Sequence, residues 1–436
     1  MIFIAEKLEQ VEKGKITKLM IFCPPRHGKT EITSVRFPAW SLGKNPDRRI
    51  ILASYAASLS HNFSRQVRDL VEEIKYQCVF GIKTKEDSRS AENWNIDGHK
   101  GGMLSAGVGG AITGYGADIF IIDDPVKNKE EAESKIYREK TWDWYQSVVR
   151  TRLEPDAAQI IILTRWHKED LAGKILSEQD DWEVINMPAI AGKNDILKRE
   201  EGQALWRKRY NEVKLKKTEK DVGSRVWAAL YDGNPQDTKS QIIQRDWIQW
   251  YDMLPHGCIR GGGIDTATSK KDTGNFSSLV DICRDNDGYL YCDDVFLDKV
   301  SVKTLSVHVV NQHNLKRYVQ IKIEENAAGE AIKQRIEEEG RMEKIYPPVI
   351  GFKTSTDKTI RVMEFQPLIE SGTLKFNRNN PRVAALVDHL IDFPQGKIDD
   401  DVDALGFAIK SVTGFTPSEE VITEPAEEGV FELELV

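Results

Sequence analysis

Two groups of residues in this 436-residue sequence have the types and spacing for phosphate chemistry. The first is Cys23-Pro24-Pro25-Arg26-His27-Gly28-Lys29-Thr30, which follows the apolar run 18–22 and opens a helix-like segment. Backbone N–H groups at a helix start cradle phosphate oxygens, a lysine reaches the outer phosphates, and a hydroxyl joins a Mg²⁺ shell. Pro25, Arg26, His27, Gly28, Lys29 and Thr30 are therefore the candidate nucleotide contacts, although Cys23 stands where such loops usually carry a glycine. Such a loop needs an apolar strand ending in acids. Residues 118–124, DIFIIDD, supply Asp123, placed for Mg²⁺, and Asp124, placed to polarise the attacking water. The run 159–164 ends at Thr164, beside Arg165, in the crevice position where parallel sheets bind ligands, and Thr164 is a candidate sensor of the γ-phosphate. Arg150 and Arg152 are candidates for an arginine finger, acting within the chain or on a neighbouring one. A surface Gly-Lys-Thr turn and a strand-ending Asp pair are each common alone. Both halves in this order, each closing a buried-looking strand, point to nucleotide hydrolysis.

The second group is acidic. A two-metal nuclease needs carboxylates from separate elements to converge on ions ~4 Å apart, one on each side of the scissile phosphate. Asp265 ends GGGID, Glu324 lies in the run IKIEEN, and Asp399, Asp400 and Asp403 open a final helix in KIDDDVDAL. Alternation sends Glu324 and Glu325 to opposite faces, so one of them faces the site. Each acid alone is unremarkable, since Asp at a helix start is a common cap. A strand-end Asp, a later strand Glu and a helix-opening Asp cluster, in that order, match an RNase H-like nuclease. His308, His313 and His389 read as ordinary surface residues rather than ligands.

The elements that must position these residues follow from hydrophobic patterning. Continuous apolar runs at 18–22, 49–54, 103–107, 118–123 and 159–164 predict strands buried on both faces, hence a mostly parallel α/β sheet. Helices are predicted over 29–42, 57–76, 129–149 and 168–178, and the glycine-rich stretch 107–118 reads as a mobile loop. From about 190 a charged helical linker region begins, including the basic segment 207–217, a candidate DNA contact. A turn-rich stretch at 234–245 predicts a domain boundary. Beyond it a hairpin at 277–297, helices at 301–313, 329–339, 381–391 and 400–412, and a strand at 319–325 predict a mixed-sheet α/β domain. The expected division is 1–235, 245–414 and an acidic tail, 415–436. That tail holds seven glutamates and no Lys or Arg, so the net charge of −8 falls to −1 without it. Its self-repulsion predicts disorder or a docking peptide. Five scattered cysteines form no zinc spacing. No apolar run approaches the ~20 residues of a membrane span, and no signal peptide is evident, so a soluble intracellular protein is expected.

The stretches PPRHGKTEITSVRFPAWSLGKNPD, GYGADIFIIDDPVKN, ILTRWHKEDLAG, GGGIDTA, IEENAAGE and FPQGKIDDDVDAL together resemble the large terminase subunit of tailed bacteriophages. The resemblance runs through nearly the whole chain in the family's order. It implies an N-terminal P-loop ATPase that pumps double-stranded DNA into a procapsid and a C-terminal RNase H-like nuclease that cuts concatemeric DNA. It implies ATP and Mg²⁺, with Mn²⁺ able to substitute in the nuclease. Its implied partners are the portal protein, the small terminase subunit and further copies in a ring on the procapsid, with a monomer possible in solution. The implied location is the host cytoplasm, outside the mature virion. By resemblance, Arg26, Gly28, Lys29 and Thr30 are phosphate-loop residues, Asp123 the Mg²⁺ acid and Asp124 the catalytic acid. Thr164, Arg165 and Trp166 form the coupling motif, and Asp265, Glu324 and the 399–403 cluster hold the nuclease ions. Asp124 departs from the family's common glutamate, and a first strand opening at Lys18 leaves little chain upstream to grip adenine. A helicase-nuclease of repair or recombination would share both sites, and a nucleotide-gated scaffold would keep only the first.

Overall fold

The five apolar runs of the N-terminal half fold as neighbouring strands of one sheet, seen in a computed structural model of the protein. The strands are β1 (Lys18–Phe22), β2 (Arg49–Ser54), β3 (Thr84–Arg89), β4 (Asn93–Ile96), β5 (Gly102–Gly107), β6 (Ala117–Asp123), β7 (Leu153–Leu163) and β8 (Glu183–Asn186). Their order is β3-β4-β5-β2-β6-β7-β1-β8. The six from β5 to β8 pair in parallel, and β3 and β4 add an antiparallel edge. Described residues are 1–110, 112, 114–179, 181–236, 241–265, 276–354, 356–396 and 398–413. The acidic tail lies outside them. Two compact units, Met1–Ile242 and Ile243–Val436, divide the chain.

Strand alternation sends side chains into two cores. Leu19, Ile21, Ile50, Leu52, Ile119, Ile121, Ile160 and Ile162 pack on one face with Ile4, Leu8 and Val11. Met20, Phe22, Ile51, Phe120, Ile122, Ile161 and Leu163 pack on the other, against Trp142, Trp144 and Tyr145. Burial on both faces is why these strands read as unbroken apolar runs. The helix Ile2–Glu12, which carries Ile4, Leu8 and Val11, was not expected from the sequence, nor were β3, β4 and β8. Phe22 is level with Leu163, and Asp123 with Ile162. The phosphate-type loop, the Asp pair and Thr164 therefore leave the sheet at the same edge.

The second unit's strands are β9 (Gln249–Tyr251), β10 (Ile259–Asp265), β11 (Ser277–Arg284), β12 (Leu290–Asp298), β13 (Gln320–Glu324), β14 (Val349–Phe352) and β15 (Leu374–Asn377). They lie in the order β14-β13-β10-β11-β12-β15-β9. β10-β11-β12 is an antiparallel meander, and β13 and β14 run parallel to β10, so the sheet is mixed. Ile264, Leu279, Ile321 and Ile323 face the helices Val302–Lys316 and Ala327–Glu343. The other face of β10 takes the helix Asp400–Thr413. There a Cβ on Gly263 would collide with the Ala404 carbonyl and the Ala408 amide, and one on Gly261 with Ser411. The glycines of GGGID thus let a helix sit directly on the strand backbone. The helix Lys358–Glu370, which the hydrophobic pattern does not predict, packs against this last helix.

Candidate active sites

Between β1 and the helical segment that starts at Glu31, the backbone enters the left-handed region at Arg26 (φ 58°) and Gly28 (φ 84°). Cys23 does not. It is a buried core residue whose thiol is pushed up to about 12 by burial, which is why the position tolerates losing its glycine. Lys29 is buried and projects between two partners. Its Nζ donates to Asp124 Oδ2 at 2.6 Å and to Thr164 Oγ1 at 2.8 Å. Asp124 is held in a left-handed conformation (φ 45°) by backbone bonds to Ile162 and Tyr55, and its Oδ1 accepts the Thr164 N–H at 2.8 Å. Asp123 turns the other way. Its Oδ2 accepts Ser34 Oγ at 2.7 Å and its Oδ1 accepts Thr30 Oγ1 at 3.3 Å. Lys29, Thr30, Asp123, Asp124 and Thr164 therefore converge, and Ser34 joins them without having been singled out in the sequence.

The electrostatics follow from this packing. Burial, then repulsion by Asp124, pushes the Asp123 carboxyl up to about 7, while Lys29, Ser34 and Thr30 oppose the rise. Burial pulls the Lys29 ammonium down, yet Asp124 and Asp123 outweigh it and the net shift is upward, so Lys29 stays charged. A buried carboxylate beside two hydroxyls suits a hard divalent cation, which would replace the proton. A cavity of about 990 Å³ opens over the loop, lined among others by Arg26, Lys29, Thr30, Asp124, Thr164, Trp166 and Arg209. His27 is buried, with Nδ1 2.8 Å from the Pro25 carbonyl oxygen, and its ring stacks on Tyr210 at 4.8 Å.

Three expectations change here. Arg165 does not enter the cavity: its Nε donates to Asp170 at 2.7 Å and its guanidinium lies 4.9 Å over the Phe22 ring. Asp170 also caps the helix Leu171–Glu178, accepting from Gly173 N, so Arg165 fixes the turn that follows Thr164. Arg150 and Arg152 precede the 11-residue strand β7, whose other end leads to Thr164. β7 is bulged, with Leu153 level with Ala117, six residues before Asp123. At ~3.3 Å per residue Arg150 and Arg152 stand roughly 20 Å from the acid pair, beyond the reach of an arginine side chain, so neither acts as a finger within this chain. The basic segment 207–217 is not a uniform cationic face either. Arg207 pairs with Glu212 at 2.9 Å, and Arg209 lines the cavity.

In the second unit, alternation decides which way the acids point. Gly261 and Gly263 face the helix Asp400–Thr413, so Asp265 shares that face. Ile321 and Ile323 face the opposite core, so Glu324 also turns toward the helix. Ile264 is level with Ile323, which makes Asp265 and Glu324 neighbours at the ends of parallel strands. On the helix, Ala404 and Ala408 meet Gly263, and Asp400 and Asp401 lie one turn earlier on that stripe. Asp403 faces elsewhere, bound by Arg361 at 2.7 Å and Lys358 at 2.9 Å, and Lys358 also holds Asp399 at 3.0 Å. Burial raises the Asp400 carboxyl; Lys358 opposes this, and the three neighbouring aspartates add to it. Asp401, not singled out in the sequence, is buried and pairs with His389 Nδ1 at 2.7 Å. His389 is thus not an ordinary surface residue, and His308 and His313 are part-buried rings stacked on Phe296 and Tyr318. The acids share a face and an edge, yet among the described residues no three His, Cys, Asp or Glu side chains form a group that could hold a metal ion. Among the described residues, no helix is long and apolar enough to cross a membrane.

Residues 20–250 match the family described as terminase large subunit, T4likevirus-type, N-terminal, and residues 262–411 match the terminase RNaseH-like domain. A large terminase from the thermophilic bacteriophage D6E aligns over 93% of this chain and 98% of that one, with 11% identity and a TM-score of 0.51. The HK97 bacteriophage large terminase aligns over 90% and 91%, with 13% identity and a TM-score of 0.33. A large terminase nuclease from thermophilic phage G20c, with bound magnesium, aligns over 39% and 97%, with 12% identity and a TM-score of 0.30. The D6E likeness speaks to the fold alone. Curated protein sequences gave no match.

Proposed function

Because this chain belongs to the terminase large subunit family, which joins a DNA-packaging ATPase to an RNase H-like nuclease, we propose how its residues divide the two chemistries. The observation that carries the reading is the Lys29 ammonium held between Asp124 and Thr164, with Asp123 beside Thr30 and Ser34, all at one sheet edge. The turn from Pro25 to Thr30 binds the phosphates of ATP through backbone N–H groups and Lys29. Thr30 and Asp123 would hold Mg²⁺, which when bound neutralises phosphate oxygens. Asp124 orients the water, and Thr164 reports phosphate occupancy through its contact with Lys29. Residues 1–235 form the ATPase with its linker region from about 190, and 245–414 form the nuclease.

In the nuclease, Asp265, Glu324 and Asp400 share one face and edge without yet forming a cluster among the described residues; drawn together, they would hold Mg²⁺ or Mn²⁺, for which an all-oxygen donor set is suited. When bound, such ions activate water and stabilise the leaving oxygen. Asp399 and Asp403 act through Lys358 and Arg361, fixing the start of the last helix. The motor grips double-stranded DNA by its backbone rather than by base readout. It works in the host cytoplasm as a ring of copies on the procapsid, with the portal protein and the small terminase subunit as partners.

Two substitutions test the division. Lys29→Ala should abolish ATP hydrolysis and packaging while Mn²⁺-dependent cutting persists. Asp265→Ala should abolish cutting while ATP hydrolysis persists. A Lys29→Ala protein with full ATPase activity would remove the first site. A folded Asp265→Ala protein without ATPase activity would refute the independence of the two chemistries.

A further inference from the structure

Phosphoryl transfer gains from a cation on the transferred group, and neither Arg150 nor Arg152 reaches the loop within this chain. Besides Lys29, three cations line the cavity: Arg26, Lys127 and Arg209. Arg209 is set apart by how it is braced. Its guanidinium lies 5.2 Å from the centre of the Trp206 ring and 5.6 Å from that of Tyr210. Backbone bonds from Arg209 N and Tyr210 N to the Trp206 carbonyl close the turn that carries it. The Tyr210 ring stacks on His27, one residue before Gly28 in the loop itself. Arg207 is drawn away by Glu212, and among the described residues no carboxylate pairs with Arg209. Tyr210 stacked on His27, and Trp206 edge-on to the same ring at 6.4 Å, thus tie this cation to the phosphate loop, in the same cavity as Lys29, Asp124 and Thr164.

We infer that Arg209 is a catalytic residue of the ATPase, its guanidinium contacting the γ-phosphate of bound ATP. The inference rests on the nucleotide reading of the Lys29 loop. Water attacks the γ-phosphorus, and the bond to the β–γ bridging oxygen breaks. ADP leaves with that electron pair, and the water proton passes toward Asp124. Arg209 offsets charge on the transferred oxygens, a task for which a planar fork of N–H donors is suited. Arg209 is exposed, and its contacts with the two rings restrict the side chain beforehand, so less conformational freedom is lost when phosphate arrives.

The test uses the full chain, with ATP turnover and the affinities of ATPγS and ADP measured for Arg209→Ala and Arg209→Lys. Arg209→Ala should lower kcat on the order of 10³-fold. It should weaken ATPγS by ~10-fold or more and ADP by less than ~3-fold, the signature of a contact to the γ-phosphate. DNA affinity and its salt dependence should not move. A kcat within ~3-fold of the parent would overturn the inference. So would equal weakening of ATPγS and ADP, which would make Arg209 a base or inner-phosphate contact. Loss of DNA affinity at unchanged kcat would overturn it in favour of a DNA contact. Should the alanine variant misfold, Arg209→Lys carries the test: a loss beyond ~10-fold supports a planar contact and a rate within ~3-fold overturns it. Lys29→Ala, run alongside, separates the two failures, because its retained activity would remove the nucleotide site whatever Arg209 does.

Discussion

Removing the Asp170 carboxylate should be among the costliest single changes in the first unit, though it touches neither loop nor acid pair. Arg165 and Asp170 are 8% and 3% exposed, and their 2.7 Å contact is the main compensation each charge has. Burial already pushes the Asp170 carboxyl upward, with Arg165 as the largest opposing influence. Deleting one partner of such a pair leaves a buried uncompensated charge, a cost of about 3–5 kcal/mol. The same side chain caps the helix Leu171–Glu178, and its loss adds about 1 kcal/mol. Asp170→Ala should therefore destabilise the unit by about 4–6 kcal/mol, a large part of a typical domain's stability. Arg165→Met with Asp170→Ser removes both charges and keeps a capping oxygen. It should recover all but about 1–2 kcal/mol. Urea unfolding followed by tryptophan fluorescence reports the difference, since eight of the ten tryptophans lie in Met1–Ile242. An Asp170→Ala cost below ~1.5 kcal/mol would refute the argument, and so would a double variant no more stable than the single one.

Three further outcomes are expected. Gly263→Val should detach the helix Asp400–Thr413 from β10, at a cost of at least ~3 kcal/mol, and end DNA cutting while ATP turnover continues; nuclease and ATPase assays on one preparation check this. Chelation by EDTA should stop cutting yet leave the circular dichroism of the protein unchanged, because Lys358 and Arg361 already balance Asp399 and Asp403. Deleting 415–436 should leave both catalytic rates within ~2-fold of the parent, as its seven glutamates without a Lys or Arg lead one to expect.

What the sequence disclosed depended on whether a residue's role is local. Strands buried on both faces announce themselves as apolar runs, and acids at their ends could be placed to within a residue. The edge strand β3, TKEDSR, has no such run, because one side of an edge strand meets no neighbouring strand and tolerates charge. The helix Ile2–Glu12 carries only a short signal, Ile4, Leu8 and Val11 on one face. The helix Lys358–Glu370 is buried on several sides and contains Pro367, so its pattern is weakly amphipathic. Side-chain commitments were the least legible. Nothing local to RTRLEP or LWRKRY shows that β7 separates Arg150 and Arg152 from the loop while Arg209 lines the cavity, its neighbour Tyr210 stacked on His27. The Asp401–His389 pair joins two helices, and only the tertiary packing reveals it.

The position of β1 between β7 and β8 also dictates when the nucleotide site can exist. Lys18 is level with Gln159, and Leu19 with Glu183, so the strand that carries the loop finds its partners only 141 or more residues later. Closing a loop of that length is slow and must precede the pairing that stabilises it. At ~5–20 residues per second, a ribosome adds the chain between them in roughly seven to thirty seconds. During that interval β1 has neither neighbour, and the turn from Pro25 to Thr30 has no Asp124 or Thr164 to face. A nascent chain halted before β7 would expose an apolar strand without ATP to hold it, whereas a chain synthesised past β8 acquires strand pairing and ligand site together.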